Sequence, residues 1–386
     1  MSLKITILSN APFTNTGYGT QCKYIGLALK ELGHEVSFLS NYGLHGTSLN
    51  WRGFTIYPMP ESTEQWRTFV SRSRADVVLS LWDIWAMPFI DFDVPWIAYF
   101  PIDGEGIGDR SRRHIERADY AVVYSQFGKR EMEKAALPCH YVPHGIDTDL
   151  FCPGDPAEAR RELYPIPGDV FLVTVVAANK GYPARKAWPE LLQGFAKFHA
   201  RHPKSMLYLH TTSRPAGPGP EGGIFLLDLA KELCIHKAVA MPTQGELGIG
   251  VTDEIIAKFY RGSDVLLSPS LGEGFGLPIA EAQACGCPVV TQACSSMTEL
   301  TVNGVAVEPL QRWWVPGLDC WWQYPSVDRI AEGLETVYRW SRRKRRSMSE
   351  KGVRFIRERH SWPVVKEHWR AFLEMVERDV KSGKVR

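Results

Sequence analysis

The stretch SLGEGFGLPIAEAQACGCPVV, residues 270–290, places two glutamates eight positions apart, Glu273 and Glu281. Glycines and a proline separate them. Glycine lets a backbone come close to a ligand, and proline suits the first position of a helix, so Ile279, Ala280 and Glu281 are expected in a first helical turn. A helix start offers unpaired N–H groups and a partial positive charge, which suits phosphate. Carboxylates accept hydrogen bonds from vicinal hydroxyls. One acid on the loop and one on the helix would therefore grip the two ends of a sugar nucleotide, with its diphosphate between them. The competing structural reading is that Glu281 complements the helix dipole and Glu273 is a solvated loop acid.

A second group of residues carries positive charge. Arg185 and Lys186 follow an apolar run at 170–178 and precede a helical pattern. Both reach a diphosphate, arginine as a fork and lysine as a point charge. Such fixed cations can balance the charge of a diphosphate. The alternative is a solvated pair at a helix start. No metal is expected: DFD (91–93) and DTD (147–149) match the very weak DxD pattern, and no His/Cys cluster has zinc spacing. A third candidate is NTGYGT (15–20), read as a loop in which Gly17 and Gly19 approach the donor diphosphate or the acceptor. It is not a dinucleotide fingerprint, because Cys22 stands where the third glycine would fall. A plain tight turn is the other reading.

These residues need a scaffold. KITILS (4–9), a glycine-containing loop, a helical pattern at 21–35 and VSFLS (36–40) make a strand–helix–strand unit, with Gly33 suited to a helix end. Further strands are expected at 76–81, 95–100, 120–125 and 140–145. The stretch 151–169, rich in proline, glycine and charge, reads as a domain boundary. A second series follows, with strands at 170–178, 205–212, 238–243, 264–270 and 288–292 and helical patterns between them, and 214–223 reads as a loop. The alternation predicts an α/β fold of two Rossmann-like domains with ligands at the carboxyl ends of the strands, facing a cleft between the domains. The expected boundaries are 1–160, 168–365, and a last helix, from about 349 to 380, whose residues 366–386 return to the first domain.

Composition agrees with this plan. A chain of 386 residues is long for one core, since single cores stop growing near ~250–300 residues. Lys plus Arg is 45 and Asp plus Glu is 43, so no global field favours nucleic acid or an anionic membrane. Eight cysteines without a CxxC pair suggest reduced thiols. No signal peptide is recognisable at MSLKITILSNAPF, and no run approaches the ~18–20 apolar residues of a membrane span. A cytoplasmic protein is expected, with peripheral membrane contact left open.

EGFGLPIAEAQACGCPVV resembles the signature of retaining GT-B glycosyltransferases, specifically glycosyltransferase family 4 (glycosyl transferases group 1). Supporting segments fall in order along nearly the whole chain: 15–36, VPHGIDTDLFCP (142–153), 176–198 and MTELTVNGVAVEP (297–309). The resemblance implies that Glu281 binds the donor ribose and Glu273 the transferred sugar. It implies that the amides of Phe275, Gly276 and Leu277 lie near sugar and phosphate. It also implies transfer with retention, from a nucleotide-diphospho-sugar to a hydroxyl acceptor. Two departures stand out. Asn179 occupies the family's usual arginine place, with the basic pair displaced by an insertion. The family's histidine after a strand like PWIAYF is absent, and Asp103 in FPIDGEG is the nearest candidate for binding or deprotonating an acceptor. A turn-forming Asp-Gly is the alternative there. Asp83 is a second candidate, and His144 is read as facing the interdomain side or satisfying a local hydrogen bond.

RRKRR (342–346) reads as a solvated helix surface, with phosphate contact as the alternative, and the tryptophan-rich 311–326 as a loop packed on its domain. The competing functions are an epimerase or hydrolase of sugar nucleotides on the same fold, a glycosyltransferase acting on modified DNA, and a degenerate protein that binds a nucleotide sugar without chemistry.

Overall fold

A computed structural model describes residues 2–163, 169–181, 184–215, 217, 222–242 and 251–385. The chain divides into two compact units, residues 1–145 with 315–320 and 360–386, and residues 146–314 with 321–359.

The first unit is built on eight strands: β1 (Lys4–Asn10), β2 (Glu35–Tyr42), β3 (Leu49–Trp51), β4 (Phe54–Tyr57), β5 (Val77–Leu81), β6 (Trp96–Phe100), β7 (Tyr120–Val123) and β8 (His140–Tyr141). Their order is β3-β4-β2-β1-β5-β6-β7-β8, parallel throughout except for the β3–β4 pair. Helices α1 (Gly17–Glu31), α2 (Thr63–Ser73), α3 (Asp109–Ile115) and α4 (Gln126–Lys134) connect them. β5 and β6 are buried along their whole length, as strands covered on both faces must be. Leu8, Leu39, Val78, Ala98 and Val123 build the core under α2 and α4 with Trp66, Val70 and Phe127.

The second unit runs α5 (Pro156–Leu163), β9 (Phe171–Val176), α6 (Trp188–Arg201), β10 (Ser205–His210), α7 (Leu226–Glu232), β11 (Val239–Ala240), α8 (Asp253–Gly262) and β12 (Val265–Ser268). It continues through α9 (Leu277–Ala284), β13 (Val289–Gln292), α10 (Met297–Leu300), β14 (Val305–Val307), β15 (Pro309–Val315), β16 (Cys320–Pro325), α11 (Val327–Tyr338) and α12 (Arg342–His360). Its parallel sheet has the order β11-β10-β9-β12-β13-β14. The α/β class and the parallel sheets are those expected from the alternation.

Local chemistry explains where elements depart from expectation. α1 starts at Gly17, because the Thr16 side chain caps it by accepting from the Gly19 amide at 3.0 Å. Gly17 and Gly19 are therefore helical, not part of a loop. The 151–169 stretch contains α5, begun by Pro156 and by an Asp155 carboxylate that accepts from the Ala157 amide at 2.8 Å. The single last helix is two: α12 ends at His360 and α13 (Trp362–Ser382) begins after Ser361, with Pro363 in its first turn. Proline cannot continue a helix, since it lacks an N–H and clashes with the preceding turn. The tryptophan-rich segment is no loop. It forms the two-stranded β15–β16 ribbon, in which Trp314 and Trp321 meet edge to face at 5.1 Å. Parts of the expected 238–243 strand and 214–223 loop lie outside the described residues.

α13 belongs to the first unit, where Trp369 packs against Tyr99 and the Tyr120 hydroxyl donates to Asp379 at 3.0 Å. Nearby, the Gln21 side chain holds both backbone groups of Gly145, donating to its carbonyl at 2.8 Å and accepting from its amide at 3.2 Å. A Cβ at Gly145 would lie 2.5 Å from the Trp362 ring, which is itself stacked on Tyr24. Gly145→Ala is therefore expected to destabilise the protein by about 1–3 kcal/mol through overpacking. The urea midpoint measures this; an unchanged midpoint would show that the ring yields freely.

Candidate active site

In the second sheet β9 lies between β10 and β12. The chain leaves β9 toward β10 and later returns on the other side to β12, so the carboxyl ends of β9 and β12 border a topological switch point. Open α/β sheets bind ligands at such places. Asn179, Arg185 and Lys186 follow β9, and Glu273 follows β12.

Those two connections meet. Arg185 Nη1 donates to Glu273 Oε2 at 2.9 Å and to the Gly272 carbonyl at 2.6 Å, and Lys186 Nζ donates to Glu273 Oε1. The Leu271 amide donates to the Arg185 carbonyl at 2.8 Å, locking the two loops together. Ser295 Oγ accepts from the Glu273 amide at 2.9 Å, while Ser296 Oγ donates to the carbonyls of Glu273 (2.7 Å) and Phe275 (2.9 Å). Glu273 is 6% exposed. Burial alone would raise its pKa, but the charges of Arg185 and Lys186, with hydrogen bonds from Lys186 and Ser270, outweigh it and bring the carboxyl down to about 2. Glu273 is a fixed carboxylate, not a proton donor.

The loop then turns into α9. Gly276 takes φ +98°, where a side chain would be strained, and its Cβ would meet Ile279 at 3.0 Å. The helix starts at Leu277, one residue before the expected Pro278. The amides of Ile279 and Ala280 turn back to the Gly276 carbonyl at 3.0 and 3.2 Å, which leaves the amides of Phe275, Gly276 and Leu277 ahead of them along the turn. Glu281 is half-buried one turn into the helix, and the Tyr260 hydroxyl donates to its Oε2 at 2.9 Å. Burial pushes the Glu281 carboxyl up to about 7, opposed by the Tyr260 bond and assisted by the Asp253 charge.

Two non-glycine residues here have left-handed backbones: Ala187 (φ 53°), next to Lys186, and Ser295 (φ 47°), which accepts from the Glu273 amide. Such conformations cost roughly 1–2 kcal/mol each and gather at functional sites. Sequence reasoning missed Tyr260, Ser295 and Ser296. The serines had one readable signal, a polar pair three residues past the end of a parallel strand; Tyr260, on α8, had none. Asn179, in the place of the family arginine, is a staple. It is buried and its amide donates to the carbonyls of Thr212 (3.0 Å) and Ile224 (2.7 Å) while accepting from the Ile224 amide (2.9 Å).

In the first unit, the Cβ position of Gly19 is filled by Thr14, 2.3 Å away, so this glycine serves close packing of its own chain. Gly17 is the first residue of α1. Asp103 follows β6, half-buried, and its charge assists burial in raising the Cys320 thiol to about 12. Asp83 follows β5 and accepts from the Tyr18 hydroxyl at 2.7 Å. His144 is buried: it stacks on Tyr124 at 3.8 Å and bonds the Tyr99 hydroxyl at 2.9 Å, and burial, with the His360 charge, pulls its pKa down to about 3. Asp91 of DFD pairs with Arg117 and Arg67, and Asp147 of DTD caps the Asp149 and Leu150 amides. RRKRR starts α12, where Arg345 binds the Val337 carbonyl at 2.8 Å and Arg346 pairs with Glu350 at 2.9 Å. No helix among the described residues is long and apolar enough to cross a membrane.

Residues 227–314 match the family model described as glycosyl transferases group 1. That group 1 region holds Tyr260, Glu273, Glu281, Ser295 and Ser296, and Arg185 and Lys186 lie before it. The chain is 36% identical over 166 residues to the D-inositol 3-phosphate glycosyltransferase of Stackebrandtia nassauensis, covering 42% of this chain and 35% of that protein. The protein of the same name from Geodermatophilus obscurus is 36% identical over 167 residues, again across 35% of its length. The matched stretch thus spans about a third of these relatives (35%). Likeness in structure extends further. The sucrose-phosphate synthase of Thermosynechococcus elongatus superposes with a TM-score of 0.76 at 17% identity, over 97% of this chain and 99% of that one. Anabaena Alr3699/HepE, solved in complex with UDP-glucose, gives 0.68 at 13% identity, over 97% and 100%. At these identities the likeness is one of fold, the two-unit α/β architecture of GT-B glycosyltransferases.

Proposed function

We propose that the chain is a retaining glycosyltransferase of family 4 that moves a sugar from a nucleotide-diphospho-sugar to a hydroxyl acceptor without a metal. The observation that carries this reading is the Glu273 carboxylate, clamped by Arg185 and Lys186 beside the glycine turn that opens α9. Glu281 takes the ribose hydroxyls, Glu273 the transferred sugar, and the amides of Phe275, Gly276 and Leu277 lie along sugar and diphosphate. Two cations against one carboxylate leave a net positive charge that is fixed before the diphosphate departs, which is how preorganised electrostatics replaces a cation. Arg185 presents the larger outer face, with 33% of its side chain exposed against 18% for Lys186. The names of the relatives and the UDP-glucose complex of one neighbour support a nucleotide-sugar donor and make UDP-sugars the first to try.

A thermal-shift series with UDP-, GDP-, ADP- and TDP-sugars tests the reading. A ligand at ~100 times its dissociation constant adds about 2.7 kcal/mol of stability, an easily seen shift. A shift with one base names the donor class; no shift with any of them, for folded protein, rejects the reading. Activity is expected to be undiminished in excess chelator. Loss of turnover that added Mg²⁺ or Mn²⁺ restores would refute metal independence.

A further inference from the structure

The Arg185–Glu273 clamp is held by a strand from outside its own sheet. The ladder between β12 and β13 ends at the Ser268–Thr291 pair, so the chain that runs on to Glu273 has left the sheet. A buried carbonyl there still needs a donor. For the buried Leu271 that donor is the Gln323 amide of β16, at 2.9 Å. The Gln323 carbonyl in turn accepts from Nε2 of Gln292, the last residue of β13, at 2.7 Å. The same Nε2 donates to Cys294 Sγ at 3.3 Å, and that thiol faces the carbonyls of Leu271 and Ser270 at 3.6 and 3.9 Å. Both routes lead from Gln292 to Leu271, whose amide donates to the Arg185 carbonyl at 2.8 Å. All of these residues belong to the second unit. We propose that Gln292 is a positioning residue for the donor site, acting through β16 and Leu271 to hold Arg185 and Glu273 where sugar and diphosphate lie. This rests on the transferase reading and deepens it by naming what fixes the clamp.

The chemistry of Gln292 favours this role over filling space. The side chain is fully buried, and among the described residues no group donates to its Oε1. A buried amide oxygen without a donor carries a cost that an apolar side chain of similar size avoids. What an apolar side chain lacks is a donor for the Gln323 carbonyl. Turned over, the amide would set its oxygen against that carbonyl, so its orientation is fixed. The leverage is short. Leu271 lies two residues before Glu273, and Ser270, beside it, hydrogen-bonds the Glu273 carboxylate. The ribose end is held separately: the Tyr260 hydroxyl bonds Glu281, and none of the bonds from Gln292 to Arg185 touches either residue. The donor site is thus supported in two parts, one for sugar and diphosphate and one for ribose. Loosening the first part misplaces a charged group whose value depends on its position, and leaves the second in place.

The test uses the full chain and variants Q292L and Q323P. Q292L keeps the volume and removes the donor. Q323P removes the N–H that serves Leu271, a loss that a strand tolerates at its edge. Cooperative melting is checked for both, and if one does not fold the other carries the test. Calorimetry with UDP-, GDP-, ADP- and TDP-glucose and the matching nucleoside monophosphates reads the donor site. Hydrogen-exchange mass spectrometry compares residues 269–275 with residues 277–285. The expected result is a loss of about tenfold in affinity for the nucleotide sugar that the wild-type chain binds, with its monophosphate held to within about twofold. Exchange should quicken in 269–275 and stay unchanged in 277–285. A merely structural role would move both ligands and both segments together. Wild-type affinity for the nucleotide sugar in a folded variant, equal losses for both ligands, or unchanged exchange in 269–275 overturns the proposal. If the wild-type chain binds none of the nucleotides, the transferase reading fails, and exchange alone decides whether Gln292 holds the loop: faster exchange in 269–275 upholds it and unchanged exchange overturns it.

Discussion

Glu273→Gln is expected to lower turnover by about two to three orders of magnitude, the usual consequence of removing one preorganised electrostatic group. Glutamine keeps the size of the side chain and can still accept, but it no longer balances Arg185 and Lys186. The loop between β12 and α9 is held by that charge balance, by the Ser295 and Ser296 bonds, and by the Gly272 carbonyl that Arg185 also binds. Losing the charge releases both cations and lets the turn relax, so the sugar contact is lost with little change in the ribose contact at Glu281. Nucleotide affinity should therefore fall far less than kcat. Turnover within a few-fold of wild type would sink the assignment. The same pair predicts an acid dependence. The folded-state pKa of Glu273, about 2, lies below the ordinary glutamate value of 4.5, so its stabilisation is complete above about pH 4.5 and disappears as pH falls toward 2. At ~1.4 kcal/mol per unit the loss is about 3 kcal/mol. Urea midpoints measured across that window should fall more steeply for the wild-type chain than for Glu273→Gln.

The central acids of this site were legible in the sequence because their signal is local. A glycine turn between a buried strand and a proline-started helix places Glu273 and Glu281 without help from distant residues, and only the helix start moved, by one residue, to Leu277. The α/β class was legible for a similar reason: buried parallel strands and amphipathic helices alternate along the chain. What the sequence hid depends on contacts between segments far apart. Asn179 stood in the place of a cation, and only the positions of Thr212 and Ile224 show that its amide is spent on their carbonyls. Gly17 and Gly19 looked like a ligand loop, yet one cap at Thr16 makes them helical and Thr14 occupies the space that Gly19 leaves. Tyr18, the residue between those glycines, carries the interaction with Asp83, and a separation of 65 residues gives no periodicity to read. The tryptophan-rich ribbon was mistaken for a loop because tryptophan at close spacing suits a packed coil as well as a strand, until the pairing of β15 with β16 is seen.

Glu281 sits under the opposite strain from Glu273, and ligand binding should reveal it. Burial raises its carboxyl to about 7, above the ordinary glutamate value of 4.5, so near neutral pH a substantial fraction is protonated. A raised acid destabilises the folded state as pH climbs from 4.5 toward 7, because the unfolded chain releases its proton first. The Tyr260 hydroxyl supplies one donor to the carboxylate, and a pair of ribose hydroxyls would supply two more. Those bonds favour the charged form, so binding of a nucleotide should pull the pKa down and release a proton. Two results follow for the nucleotide that the thermal-shift series selects. Its affinity should weaken as pH falls from about 7.5 to 6, and calorimetric enthalpies in buffers of different ionisation heat should show net proton release near pH 6.5. Glu281→Gln should abolish the release and weaken binding by roughly 10- to 100-fold, in line with about 1.5–3 kcal/mol for hydrogen bonds to a charged group. A variant that binds as tightly as wild type, or a wild-type chain that takes up protons on binding, would remove Glu281 from the ribose and leave its raised pKa a property of the helix alone.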